Sequence, residues 1–187
     1  MPAFLIALLL GVLASTGGRD QLLVAQLSAS FRKPLPVLVV AWISNALTGT
    51  AAVVAGAWLA PMMPPGGKLI LLAIALGFAA VEMAWHSLRK PAPKEPTRSL
   101  VAMLIVLLAH QLGDAARFIL FALAVWSAST ELVAAGGILG TGAALTLAWL
   151  SGAALPASPV LRIVRPLTAA LLAVAAAAIA VGALGLV

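Results

Sequence analysis

Two short polar segments, half a chain apart, interrupt apolar stretches and carry the residues best suited to chemistry. They lie within residues 14–23 and 109–118. A charged side chain at membrane depth is costly, so it usually has a partner and marks an ion or substrate path. With one polar position in the second apolar stretch, the candidate ion- or substrate-binding residues are Ser15, Asp20, Gln21, Asn45, Gln111 and Asp114.

These residue types favour a site for a hard cation. Divalent ions such as Ca²⁺ and Mn²⁺ prefer oxygen ligands, so Asp114, Asp20 and Gln111 are the candidate metal ligands. Arg19 and Arg117 are the predicted charge partners, with Asp114 pairing with Arg19 and Asp20 with Arg117. Because these four charges sum to zero, we expect weak affinity for a bare divalent cation.

The remaining titratable side chains have separate predicted roles. His110 lies four residues before Asp114, which places both on one face of a continuous helix. There His110 is the candidate for proton handling, because its charge changes near neutral pH. Glu82 lies four residues before His86, and this spacing favours a pair near the membrane boundary over a transport role.

Composition identifies an integral membrane protein. The chain is 64% hydrophobic and 9% charged, with a mean hydropathy of +1.17, far from the soluble average of about 25% charged residues. No cysteine is present, so disulfides and thiolate metal sites are excluded. The net charge of +6 falls in short loops rather than in a nucleic-acid-binding surface. We expect no enzymatic activity, no cofactor and no nucleic-acid partner.

The apolar stretches predict six transmembrane helices, of which the first and fourth are interrupted at the polar segments. Their approximate bounds are 3–30, 35–60, 69–88, 99–125, 131–154 and 161–186. Residues 89–98 are rich in proline and charge and form a linker. The chain therefore divides into a first three-helix repeat (1–88), a cytoplasmic linker (89–98) and a second three-helix repeat (99–187). Glycines such as those in 136–140 are expected to pack helices together.

Three spans per half make the second half enter the membrane from the opposite side, which predicts an all-α fold of two inverted three-helix repeats. Lys and Arg counts set the orientation. With the N-terminus outside, the inner loops hold eight basic residues and the outer loops hold Lys68 alone. The eight are Arg32, Lys33, Arg89, Lys90, Lys94, Arg98, Arg162 and Arg165. We therefore expect a multi-pass protein of the inner (plasma) membrane with both termini outside.

The motifs and topology together resemble the GDT1 family of cation/proton exchangers. Each of that family's two three-helix repeats carries Glu-x-Gly-Asp-Lys/Arg-Thr/Ser in its first helix. In the first motif of this chain the glutamate position is Ser15, the glycine is Gly17 and the aspartate position is Gly18. The basic position is Arg19, and the hydroxyl position is Asp20.

The second motif departs from the family pattern differently. Its glutamate position is Gln111, while Gly113 and Asp114 are kept, and alanines 115 and 116 follow. Asp114 is thus the one family carboxylate in place, and Asp20 is a carboxylate at a shifted position.

The resemblance implies a secondary transporter that exchanges Mn²⁺ or Ca²⁺ for protons. Asp114, Asp20, Gln111 and Gln21 would line its central site, and one repeat would rock against the other. Two alternatives stay open: a transporter of a small organic ion, which the two arginines would favour, and a degenerate, non-transporting subunit of another membrane protein. The expected partners are the lipid bilayer, the transported ion and either a second copy or a paralogue.

Overall fold

The regular structure is helical throughout the part of the chain that the computed structural model describes, residues 1–31, 35–85 and 99–185. Its α-helices are α1 (Pro2–Ser15), α2 (Arg19–Ser30), α3 (Leu35–Leu59), α4 (Pro65–Trp85), α5 (Leu100–Leu112), α6 (Ala115–Trp126), α7 (Thr130–Ser151) and α8 (Pro159–Ala183). Short 3₁₀ turns at Ala60–Met62 and Gly152–Ala157 extend α3 and α7.

Four continuous helical segments are long and apolar enough to cross a membrane. They are Leu35–Met62, Pro65–Trp85, Thr130–Ala157 and Pro159–Ala183. The helices α1 and α2 form a pair bent by 64°, and α5 and α6 form a pair bent by 58°. The protein thus has four candidate spans, or six if each bent pair is one span, and the two predicted interruptions are confirmed. The predicted linker at 89–98 lies outside the described residues.

A glycine lies at each break, but only Gly17 adopts a conformation that requires one. Gly17 follows the end of α1 with a φ of +74°, a left-handed conformation that residues with a Cβ avoid. Gly113 ends α5 with a φ of −94°, and Asp114 then takes the N-cap position of α6. Each break therefore places the N-terminus of a half-helix, with its free N–H groups, inside the helical bundle.

A layer of polar side chains separates two buried apolar clusters. Along α3, Val37 and Val40 belong to one cluster and Val53 to the other, and buried Asn45 and Thr48 lie between them. The same order recurs on α7, where Thr141 lies between Val133 and Leu145. The breaks of both bent pairs lie at this level, because α1 and α6 belong mainly to one cluster and α2 and α5 to the other.

Small residues bring α1 and α7 into close contact. A Cβ atom on Gly136 would collide with the carbonyl oxygen of Phe4, and one on Gly140 with the carbonyl oxygen of Leu8. This confirms the packing role predicted for the glycines of 136–140. Backbone approach of this kind is a common way to hold helices together in lipid, where no hydrophobic force acts between them.

The prediction that Arg165 lies in an inner loop is wrong. It lies inside α8 with 4% of its surface exposed, because the helix already begins at Pro159, whose fixed φ suits a first helical position. Its guanidinium donates a 3.0 Å hydrogen bond to the Met83 carbonyl oxygen. Arg165 is therefore a buried charge of the bundle, and it does not count as a topology signal of an inner loop.

Candidate functional site

Arg117 organises one side of the polar layer. Its Nε donates to Thr48 Oγ1 at 2.8 Å, and its Nη2 donates to Asn45 Oδ1 at 2.6 Å. Thr141 also donates to Asn45 Oδ1, at 2.6 Å, and Thr48 donates to Gln111 Oε1 at 3.1 Å. One buried guanidinium thus connects α6 to α3 and, through the shared Asn45 oxygen, to α7.

Gln21 holds the first break in place. Its Oε1 accepts a 2.6 Å hydrogen bond from the Gly17 N–H, and its Nε2 donates to the Ala144 carbonyl oxygen at 2.9 Å. The side chain therefore satisfies a backbone donor that the interrupted helix leaves free and ties the break to α7. Both the oxygen and the nitrogen of the Gln21 amide are therefore engaged in holding the break.

Asp20 and Asp114 are the buried carboxylates of the layer. Asp20 lies in the first turn of α2 and Asp114 caps α6, so each carboxylate lies at a half-helix N-terminus, where the helix dipole favours negative charge. The two are close enough for their charges to interact with each other and with Arg117.

Several oxygens in this layer have unused capacity. Within the described residues, Asp20 Oδ2, Asp114 Oδ2 and Ser15 Oγ are buried and have no hydrogen-bond partner. Buried polar groups are normally satisfied, so such atoms need an explanation, for example an ion. In the same part of the chain, no group of three His, Cys, Asp or Glu side chains is arranged to hold a metal, so amide or hydroxyl oxygens would have to complete its coordination.

Both predicted cross-pairs fail as direct ion pairs. Arg19 Nε lies 3.0 Å from Glu82 Oε1 on α4, and this is the one ion pair among the described side chains. The reason is the geometry of α2, in which consecutive residues point in different directions: Asp20 is fully buried, whereas the Arg19 side chain is 43% exposed. Arg117 interacts with Asp20 electrostatically, but it donates its hydrogen bonds to Asn45 and Thr48.

His110 lies apart from the cluster. The predicted shared face with Asp114 requires one continuous helix, and α5 ends at Leu112 before a 58° bend. His110 is consequently exposed on the surface, while its neighbour Gln111 is buried at the centre. The structure thus gives no contact between His110 and the buried carboxylates.

Two open cavities approach the layer beside α6. A cleft of about 500 Å³ is lined by Arg19, Glu82 and Asp114 together with the aromatic rings of Phe78, Trp85 and Phe118. A second cavity of about 380 Å³ reaches Arg117 and Thr48. Leu112 and Phe118 line both cavities, whereas Asp114 lines the first cavity alone and Arg117 the second alone.

Sequence reasoning missed three members of this region. Glu82 was assigned to a boundary pair with His86, a residue outside those described, yet it pairs with Arg19 and accepts a 3.2 Å hydrogen bond from the Ala115 N–H. Arg165 was placed in a loop. Thr141 carried no charge or motif to mark it. Of the three, Glu82 had a usable signal, since an acidic residue inside a span is a site candidate by default.

Comparison with known proteins identifies the first half of the chain. Residues 3–91 match the family model of GDT1, described as a divalent cation/proton antiporter. Over this segment the chain is similar to the GDT1 family. The segment holds the first break together with Arg19, Asp20 and Glu82. No curated protein and no solved structure matches the chain.

The similarity to this family agrees with the general character of the molecule. A divalent cation/proton antiporter is a membrane transporter, which agrees with several apolar helices long enough to span a bilayer. Broken helices whose N-termini meet inside the bundle are the usual way in which secondary transporters build an ion site. The chain therefore has the architecture expected of a multi-pass membrane transporter.

Proposed function

We propose that this chain exchanges a divalent cation, Mn²⁺ or Ca²⁺, for protons at a site built on Asp20 and Asp114. The observation that carries the proposal is the pair of buried carboxylates, each with one oxygen lacking a partner, at the N-termini of two half-helices. Ser15 Oγ is a third such oxygen. Oxygen atoms of this kind are the ligands that hard divalent ions prefer.

Carboxylates couple the two ions by competition. A carboxylate that binds a metal ion must be deprotonated, so cation binding releases protons and proton binding expels the cation. Arg117 sets the charge of the site, since its charge interacts with both Asp20 and Asp114. Because the positive charge of Arg117 is present, we expect the site to bind a divalent cation less tightly than four free carboxylates would.

The packing of the helices supports an inverted repeat around this site. If the first half (α1 to α4) is equivalent to the second (α5 to α8), the packing of α1 on α7 corresponds to that of α5 on α3. In the same way, the packing of α2 on α7 corresponds to that of α6 on α3. The equivalent helices α3 and α7 contact each other directly, and so do α4 and α8. A twofold axis relating the halves would produce this pattern, with α4 against α6 as the exception. Rocking of one half against the other would then expose the site to alternate sides, in an inner-membrane protein with both termini outside.

Transport by purified protein in liposomes tests the proposal. We expect an imposed Mn²⁺ or Ca²⁺ gradient to move protons, recorded with an internal pH dye, and Asp114→Asn to abolish the signal. Glu131→Gln is the matched control, because Glu131 is exposed at the start of α7. Proton movement that is absent with both ions, or that survives Asp114→Asn, would overturn the proposal.

A second candidate is transport of a small organic anion. It is favoured by two N–H donor groups in the polar layer: Arg117 Nη1 and Gln111 Nε2 are buried without a hydrogen-bond partner among the described residues. Arg recognises carboxylates well, and the cavity of about 380 Å³ reaches Arg117. In the same liposomes, proton movement driven by a small carboxylate but by neither metal would favour this function.

A further inference from the structure

Glu82 contacts the first residue of both half-helices that begin in the polar layer. Its Oε1 lies 3.0 Å from Nε of Arg19, the first residue of α2, and its Oε2 accepts a 3.2 Å hydrogen bond from the N–H of Ala115, the first residue of α6. A single carboxylate on α4 therefore joins the two breaks to a third helix.

The neighbours of these contacts are the two carboxylates of the proposed site. Asp20 directly follows Arg19, and Asp114 directly precedes Ala115. From α8, the other helix packed on α4, Arg165 faces the same region and interacts electrostatically with Glu82. Glu82 is thus one contact between α4 and the half-helix N-termini that carry the two carboxylates.

Glu82 also lies at the wall of the cleft that reaches Asp114. The cleft of about 500 Å³ is lined by Arg19, Glu82, Asp114 and Ala115, and the Glu82 side chain is 17% exposed there. With the ion pair formed, the Arg19 and Glu82 side chains lie together at the wall of the cleft from which Asp114 is reached.

We propose that Glu82 is a positioning residue of the exchange reaction, which holds Asp20 and Asp114 together by fastening both half-helices to α4 through its charge. This inference rests on the proposed function for its transport consequence, whereas its structural consequence is independent of any transported ion. Separation of the half-helices after loss of the charge would widen the cleft around Ala115, whose surface is 8% exposed.

Cysteine labelling measures that widening directly, because the chain contains no cysteine. Ala115→Cys supplies a single reporter, and the full chain in nanodiscs exposes both membrane faces to a water-soluble maleimide. Glu82→Gln keeps an oxygen that can accept from the N–H of residue 115 but removes the charge that pairs with Arg19. We expect it to speed labelling about fivefold, equivalent to about 1 kcal/mol, whereas Glu82→Asp keeps the charge and stays within about twofold.

Labelling that is equally fast in Glu82→Gln, Glu82→Asp and Glu131→Gln would overturn the inference, whatever the transport activity. Transport measured on the same Glu82 variants, with the cysteine omitted, separates the two proposals. If the parent protein moves no protons with either metal while labelling still depends on the Glu82 charge, the exchange proposal fails and the positioning role stands. If exchange is intact and neither the labelling rate nor the apparent KM for the cation responds to Glu82→Gln, the positioning role fails alone.

Discussion

Arg117 and Asn45 are joined by a 2.6 Å hydrogen bond between the guanidinium Nη2 and the amide Oδ1, and both residues are buried in the polar layer. The same oxygen accepts from Thr141, so α3, α6 and α7 meet at one atom. A positive charge is thereby fixed beside the carboxylates that would bind a cation. Under the proposed exchange function we therefore expect the cation on the Asp114 side of the layer, which the cleft of about 500 Å³ reaches.

Arg117→Lys is expected to destabilise the protein while preserving the charge. A lysine offers a compact ammonium in place of the guanidinium fork, so it cannot reproduce the separate bonds to Thr48 and Asn45. Loss of a hydrogen bond to a charged group costs about 1.5–3 kcal/mol. The melting temperature in detergent checks this, with Arg162→Lys on the exposed face of α8 as control. Equal melting temperatures for the two variants would contradict the network described for Arg117.

The motif glycines are expected to differ in their tolerance of alanine. Gly17 has a φ of +74°, and a Cβ there would lie 2.6 Å from Arg165 Cδ, so Gly17→Ala should cost about 1–3 kcal/mol. Gly113 has an ordinary φ of −94° and open space around its missing Cβ, so Gly113→Ala should change stability by less than about 0.5 kcal/mol. Thermal unfolding of both variants measures the difference. A Gly113 variant as unstable as the Gly17 variant would show that the two breaks are equally constrained.

Close packing of α1 on α7 predicts a cost for enlarging Gly136. A methyl group there meets the Phe4 carbonyl oxygen, and overpacking of this kind costs about 1–3 kcal/mol. Gly77→Ala is the matched control in the interior of α4, where a Cβ meets no atom within 4 Å, and it should be neutral or stabilising by up to about 1 kcal/mol. Denaturation of both variants under the same detergent conditions gives the comparison, and loss of stability in Gly77→Ala alone would be the contrary outcome.

Much of the framework was predictable because it depends on local rules. Apolar run length and proline positions place the helices within a few residues of their observed bounds, and Gly17 and Gly113 mark both breaks. Burial of Ser15, Asp20, Gln21, Asn45, Gln111 and Asp114 was also foreseen from polarity within apolar runs. These features follow from hydropathy and backbone freedom alone.

The partners of the charges were not predictable in the same way. Pairing of Arg19 with Glu82 depends on how α2 is turned after the break and on which face of α4 lies beside it. Helical spacing failed for His110 and Asp114 because it assumes a continuous helix, and the chain bends by 58° between them. Side-chain contacts across a break are set by tertiary packing, which a single sequence does not record.

Proton-driven cation uptake tests the central claim most directly. Liposomes containing the protein and equal Mn²⁺ on both sides are given a pH gradient that is acidic inside. The internal metal is then followed with a metal-sensitive dye. An antiporter must work in both directions, so we predict that the gradient accumulates Mn²⁺, or Ca²⁺ in the parallel experiment. Asp20→Asn and Asp114→Asn should abolish accumulation while Glu131→Gln retains it. A pH gradient that moves neither ion, or accumulation that persists in either aspartate variant, would contradict exchange at this site.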